Sequence, residues 1–281
     1  MIHQRNLSLL SNRLARKGGR RIPEAVLERD YCLSWFLVGL SGTMLRDILA
    51  FKGGTAIKKC FIPDYRFSED LDFTLRNDVS FEHIQEQFNQ AFIYAQQASG
   101  IRLAISRTDR RPHENSHSFF IAYEGPLPGA TGKEVKVDIT IRERLVFPIE
   151  ERPILKSYEE YADLPNDVVI GVYTLREIAA KKIVAIFDLA RNEPRDFYDL
   201  WHLISQGLLE PGELIEAVGQ KMRFRGKEMA NSREILSKKE ARLKTLWRTR
   251  LLYQMTELPE FDQVHRYVLR ELRQAGFLDP I

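Results

Sequence analysis

The chain has 281 residues, 44% hydrophobic and 29% charged, with a net charge of +3; that is enough for one large domain or two modest lobes, in the composition range of soluble globular proteins. No apolar run approaches the roughly 18 residues that cross a bilayer, and the basic start MIHQRNLSLLSNRLARKGGRR has no continuous apolar stretch, which argues against a membrane span and a secretory signal. The two cysteines, Cys32 and Cys60, sit among apolar neighbours and read as buried thiols of a cytoplasmic protein, not as a disulfide framework.

Charge distribution says more than net charge. Residues 221–250 hold eleven Lys or Arg against three Glu, and residues 1–21 hold six and no acid. Either place suits a polyanion, and either reads equally well as a solvated face. The acid-free start also has the composition of an organelle transit peptide, although a folded basic arm explains it as well.

In chain order, Pro23 opens a helix, PEAVLERDYCLSWFLVGL, with proline at a favoured first-turn position. MLRDILAFKGG is a helical turn or loop leading into a short strand that stops at Gly53-Gly54, and TAIKKCF is helical. EDLDFTL alternates as a half-buried strand does. SFEHIQEQFNQAFIYAQQASG is a helix with Ser80 as N-cap and Gly100 after its end. IRLAISRT, HSFFIAYEG and KEVKVDITIRER are strands, the last two joined by GPLPGATGK, which has the Gly and Pro of a hairpin connection. After about residue 170 the pattern turns helical, through TLREIAAKKIVAIFDLARN, PRDFYDLWHLISQG, PGELIEAVGQKM, SREILSKKEARLKTLWRTRLLYQM and EFDQVHRYVLRELRQAGF. The plan is an α/β lobe over 1–170, with N-terminal helices, and a helical lobe over 171–281.

The chemistry concentrates in FKGGTAIKKCFIPDYRFSEDLDFTL, residues 51–75. A strand runs into two glycines, a hydroxyl residue and a helix start, an arrangement that lets backbone N–H groups approach phosphate. Asp70 and Asp72 alternate with Leu71 and Phe73, so both carboxylates face one side of a strand while the apolar pair is buried on the other. Paired hard oxygens for Mg²⁺ give a reason for placing like charges together; a solvent-facing strand is the alternative. A second strand supplies Asp138, with Lys136 and Thr140 on the same polar face. Asp196 and Asp199 share a helix face, where Arg195 or Lys182 could pair with them. Ser68, two residues before Asp70, would share its face on an extended chain, where a phosphate would oppose a bound triphosphate.

Other motifs fail on context. His113-Glu114-Asn115-Ser116-His117 matches the zinc-protease string but follows a proline and leads into a strand, not a helix. GATGKE lacks the earlier glycine of a phosphate loop, and Ser68 lies in no nucleophile elbow.

A Gly-Gly-Thr turn followed some fifteen residues later by Asp-x-Asp resembles the DNA polymerase β-like nucleotidyltransferase superfamily. The longer string GGTAI…RFSEDLDF resembles the AbiEii/AbiGii toxins of type IV toxin–antitoxin and phage-abortive systems, to which the MenT toxins are related. LREIAAKKIVAI, with Glu177 and Lys182, is similar to that family's third motif, and RDFYDLW, with Arg195, Asp196 and Asp199, to its fourth. Ile57 stands where leucine is usual. The resemblance implies a polymerase β-like mixed-sheet lobe followed by an α-helical lobe, and transfer of a nucleoside monophosphate from an NTP with release of pyrophosphate. It implies a two-metal Mg²⁺ site on Asp70, Asp72 and Asp138. Gly53, Gly54 and Thr55 would hold phosphates with Arg66 and Ser68 beside them, Lys182 would contact the triphosphate, and Asp196 and Asp199 would orient Lys182 or bind nucleotide. An RNA acceptor, the tRNA 3′ end first, and an antitoxin partner follow from relatives. The alternatives are a small-molecule acceptor, as in aminoglycoside nucleotidyltransferases, and a catalytically silent nucleotide-binding regulator.

Overall fold

The structure, a computed structural model, describes residues 1–16, 19–108, 114–129, 132–229 and 231–278. His113 of the zinc-protease string, and Ala130 and Thr131 of GATGKE, lie outside the described residues. The chain forms two compact units. Unit 1 is Met1–Glu143, Ile149–Tyr173 and Gln254–Thr256; unit 2 is Arg144–Pro148, Thr174–Tyr253 and Glu257–Ile281.

Unit 1 is a mixed α/β structure. Its helices are α1 (Gln4–Arg16), α2 (Glu24–Ser41), α3 (Leu45–Ile48), α4 (Gly53–Cys60) and α5 (Phe81–Ser99). Its strands are β1 (Leu49–Lys52), β2 (Leu71–Leu75), β3 (Arg102–Thr108), β4 (Ser116–Glu124), β5 (Glu134–Thr140), β6 (Ile149–Pro153) and β7 (Val169–Tyr173). They form one sheet in the order β3-β4-β5-β2-β1-β7-β6. The β2–β5 and β1–β7 pairs are parallel and the others antiparallel.

The core lies on one face of this sheet. Helix α2 is buried without a break from Asp30 to Leu40, a mostly apolar stretch with no polar face. It packs on α5, where Phe36 stacks on Phe88 at 5.6 Å between centroids. Gly39 permits that approach, because a Cβ there would fall 2.3 Å from the Ala91 carbonyl oxygen. Phe73 of β2 meets Phe36 and Phe51 at 6.5 and 5.2 Å, so the apolar half of the β2 alternation points into this core.

Two strands escaped the sequence reading. VIGVY is a short apolar run of an inner strand between β1 and β6, and such runs lack alternation. IEERP is an edge strand that ends on a proline.

Unit 2 is built of helices: α6 (Leu175–Ile186), α7 (Pro194–Ser205), α8 (Ile215–Phe224, entered through a 3-10 turn at Pro211–Leu214), α9 (Ser232–Leu251) and α10 (Phe261–Gln274). Thr174 caps α6 by accepting from the Glu177 amide. Two lysines of the basic 221–250 segment are internal fasteners here. Lys221 pairs with the fully buried Glu177 and donates to the Arg144 carbonyl. Glu177 also accepts from the Val146 and Phe147 amides, which fixes the 144–148 segment. Lys239 donates to the Ile186 and Asp188 carbonyls at the end of α6, where a cation satisfies groups the helix leaves open.

Among the described residues, no helix is long and apolar enough to cross a membrane.

Candidate active site

On the sheet face opposite the aromatic core, the strand pairing assembles a polar array. Asp72 is in register with Asp138 across the parallel β2–β5 pair, and Thr74 with Thr140 one pleat further on. The two carboxylates the sequence placed on separate strands are therefore direct neighbours, both half-buried. Asp70 immediately precedes β2 and is also half-buried. The hydroxyl of Thr55, in the first turn of α4, donates to the Asp70 carbonyl and so ties the glycine turn to the start of β2.

Each glycine of the turn is matched to a side chain. Gly53 has φ +81°, and a Cβ there would lie 2.5 Å from Asp72 Oδ2. A Cβ on Gly54 would lie 2.6 Å from Arg66 Nη2 and 3.3 Å from Ser68 Oγ. Arg66 is buried and donates through Nη1 to the Phe67 carbonyl and Gln254 Oε1; Ser68 is buried beside it. The sequence motif thus gathers Gly53, Gly54, Thr55, Arg66, Ser68, Asp70 and Asp72 around one corner of the sheet.

Three further groups belong to this face, and the sequence reading assigned them no role. Ser118 of β4 lies opposite Asp138 and donates to its Oδ1 at 2.8 Å. Lys136, two residues before Asp138, places Nζ 2.7 Å from Oδ2. Burial alone would lower the Lys136 pKa, but the hydrogen bond and charge of Asp138, with Asp70 and Asp72 behind it, hold it above the ordinary value. Lys52, opposite Asp72, is buried and donates to the Thr74 and Thr140 hydroxyls at 2.7 and 2.6 Å. Thr74 in turn bonds the Tyr173 hydroxyl. The signal for Ser118 and Lys136 was the strand alternation of HSFFIAY and KEVKVDIT. Lys52 was legible only as a polar residue ending an apolar strand.

The donor set suits a hard divalent cation. It is two carboxylates side by side on adjacent strands, a third directly before β2, and a glycine where any side chain would crowd Asp72. Among the described residues, no three acidic, histidine or cysteine side chains already converge at ligand spacing. Asp138 in particular has one oxygen engaged by Ser118 and the other by Lys136.

In unit 2, Lys182 lies 3.0 Å from Asp196 Oδ1 and 2.5 Å from Asp199 Oδ2, all three buried. Arg191 Nε adds a contact to Asp196 Oδ2 at 2.7 Å, while Arg195 pairs with Glu193. Burial would raise the Asp196 pKa, but Lys182 and then Arg191 hold it below the usual carboxylate range. His117, from the zinc-protease string, is on β4, stacked on Phe81 at 4.5 Å, so no helix presents it to a metal.

A sequence profile described as Nucleotidyl transferase AbiEii toxin, Type IV TA system, matches residues 35–267. A search of curated proteins finds no match. Among solved structures the chain is similar to MenT4, a nucleotidyltransferase toxin from Mycobacterium tuberculosis H37Rv. The TM-score is 0.55 at 18% identity, over 95% of this chain and 98% of that one. That likeness shows the same fold, and the profile spans most of the sequence, including both carboxylate strands and the Lys182 cluster. The chain belongs to the AbiEii family of nucleotidyltransferase toxins of type IV toxin–antitoxin systems.

Proposed function

We propose that this nucleotidyltransferase moves a nucleoside monophosphate from an NTP to an RNA, with the tRNA 3′ end as acceptor, using Mg²⁺ held by Asp70, Asp72 and Asp138. The observation that carries the metal part is the in-register pairing of Asp72 with Asp138, with Asp70 directly before β2. Bound there, Mg²⁺ would neutralise triphosphate charge and lower the pKa of the attacking hydroxyl. The chain's own residues do the positioning. The free amides of the first α4 turn, at Gly54 and Thr55, take phosphate oxygens. The Thr55 hydroxyl, committed to the Asp70 carbonyl, keeps that turn against β2. Arg66 and Ser68 back the turn at Gly54. The reading keeps Lys182 as a cation for the NTP, oriented by Asp196 and Asp199. These are orientation and charge effects, the main terms in phosphoryl transfer.

The RNA part is supported by α9. Lys221 and Lys239 are internal, but Arg242, Arg248 and Arg250 are exposed. Exposed guanidinium groups suit a phosphate backbone. An antitoxin partner is proposed from the family alone.

The test supplies labelled NTPs with total RNA, with protein, and with neither. Label in RNA that disappears with Asp72→Asn, in a variant that stays folded, supports the reading. Label in protein only, or no transfer with any NTP, overturns it.

A further inference from the structure

We infer that Lys136 is a resident counter-cation of Asp138, occupying the carboxylate oxygen that a divalent cation must take. The inference rests on the metal reading above and concerns a residue outside every motif of the family resemblance.

Three observations carry it. First, Lys136 and Asp138 are two apart on β5, so strand geometry puts both side chains on the carboxylate face. Second, the two oxygens of Asp138 have different partners: Ser118 on Oδ1, Lys136 on Oδ2. Third, Asp72 stands beside Asp138 in the parallel β2–β5 register, and Asp70 directly precedes β2. The ammonium therefore sits among the same three carboxylates that the metal reading needs, and each of them favours its charged form. Lys52, also on this face, donates to the Thr74 and Thr140 hydroxyls.

The two partners of Asp138 differ in what a cation would do to them. A neutral hydroxyl bonded to one oxygen is compatible with metal ligation by the other; it orients the ligand. An ammonium on the ligating oxygen is not compatible, because it repels the incoming cation. Lys136 must leave, and its pair is open enough to break: the side chains of Lys136 and Asp138 are 36% and 32% exposed. The arrangement places a positive charge where the metal would bind, and it weakens metal binding until an NTP contributes its own negative charge. Lys136 is in this sense a positioning residue for Asp138.

The experiment is Mn²⁺ titration by calorimetry, without NTP, on the parent protein, Lys136→Met and Lys136→Arg, each also with Asp138→Asn. Lys136→Met should bind Mn²⁺ at least about tenfold more tightly than the parent, because a repelling charge is removed without loss of a ligand. Lys136→Arg should stay within about threefold of the parent, and Asp138→Asn should abolish the gain. Equal affinity in Lys136→Met and the parent overturns the inference alone. So does a gain that survives Asp138→Asn, since Lys136 would then act on the site only through its general field. No Mn²⁺ binding in any variant overturns the metal reading and this inference with it.

Discussion

Gly53→Ala tests the fit between the glycine turn and the carboxylate strand. Two separable terms follow from the structure. The first is local: residue 53 sits at φ +81°, where a side chain costs about 1–2 kcal/mol. The second is a contact: the new Cβ would lie 2.5 Å from Asp72 Oδ2, so the carboxylate must withdraw to at least the 3.4 Å of ordinary contact. Coupling between touching residues is typically about 0.5–3 kcal/mol. The total expected loss is about 1.5–5 kcal/mol in urea unfolding. With Asp72 in the metal-holding role proposed above, a displacement of nearly 1 Å is expected to cost transfer roughly 100-fold. A double-mutant cycle separates the two terms. In an Asp72→Ala background the contact is gone, and Gly53→Ala should cost only the backbone term of about 1–2 kcal/mol. An equal cost in both backgrounds would show that Asp72 does not abut residue 53, and no cost in either would show that the positive φ is not retained.

Three further outcomes are expected. Lys182→Met leaves Asp196 and Asp199 buried without their shared ammonium, so the unfolding free energy should fall by about 3–5 kcal/mol; a loss under about 1 kcal/mol refutes the clamp. Because the folded Asp196 pKa is depressed, its contribution is present above the unfolded value of about 3.9 and disappears as pH falls through the lower folded value. Lys58 is fully buried against the Pro63 and Tyr65 carbonyls and the Tyr158 hydroxyl, and burial lowers its pKa from 10.5 to about 8. The unfolded chain then binds more protons between those values, so stability rises with pH across that window. Relative to Lys58→Met, the parent should gain about 3 kcal/mol from pH 8 to 10.5, and a difference flat with pH refutes the assignment. Arg242→Glu with Arg248→Glu should weaken RNA binding at least about tenfold and flatten its salt dependence; binding unchanged at every salt concentration would leave α9 as a solvated face.

The fold class was legible because periodicity is local. The β2 alternation, the Ser80 and Gly100 caps of α5 and the change to helices near residue 174 each follow from a few adjacent side chains. Which strand lies beside which is not local. Asp72 and Asp138 are joined across a parallel pair whose connection includes α5, β3 and β4, and no spacing in the sequence states that register. The sequence could say that each aspartate stands on a polar face, but not that the two faces adjoin. The partner of β1 was hidden for a related reason, since VIGVY carries the uniform apolar pattern of a strand buried on both sides.

Lysines show most clearly where a charge count stops being informative. In sequence, Lys221 and Lys239 belong to a basic segment and suggest an outward surface for a polyanion. In the structure each is buried, because each meets acceptors that would otherwise be buried without a donor: Glu177 and the Arg144 carbonyl for one, the last carbonyls of α6 for the other. Lys58, Lys59 and Lys52 are used the same way in unit 1, on carbonyls, Asp30 and hydroxyls. A lysine reaches such acceptors through a long apolar stem, so its destination depends on residues tens of positions away and leaves no trace in local charge. Charge reversal at Lys239 therefore probes unit stability, not RNA contact, since it would set a carboxylate against two carbonyl oxygens. The exposed arginines of α9 are the groups to test against an RNA backbone, and Lys136, half-exposed beside Asp138, is the lysine proposed to give way to a metal ion.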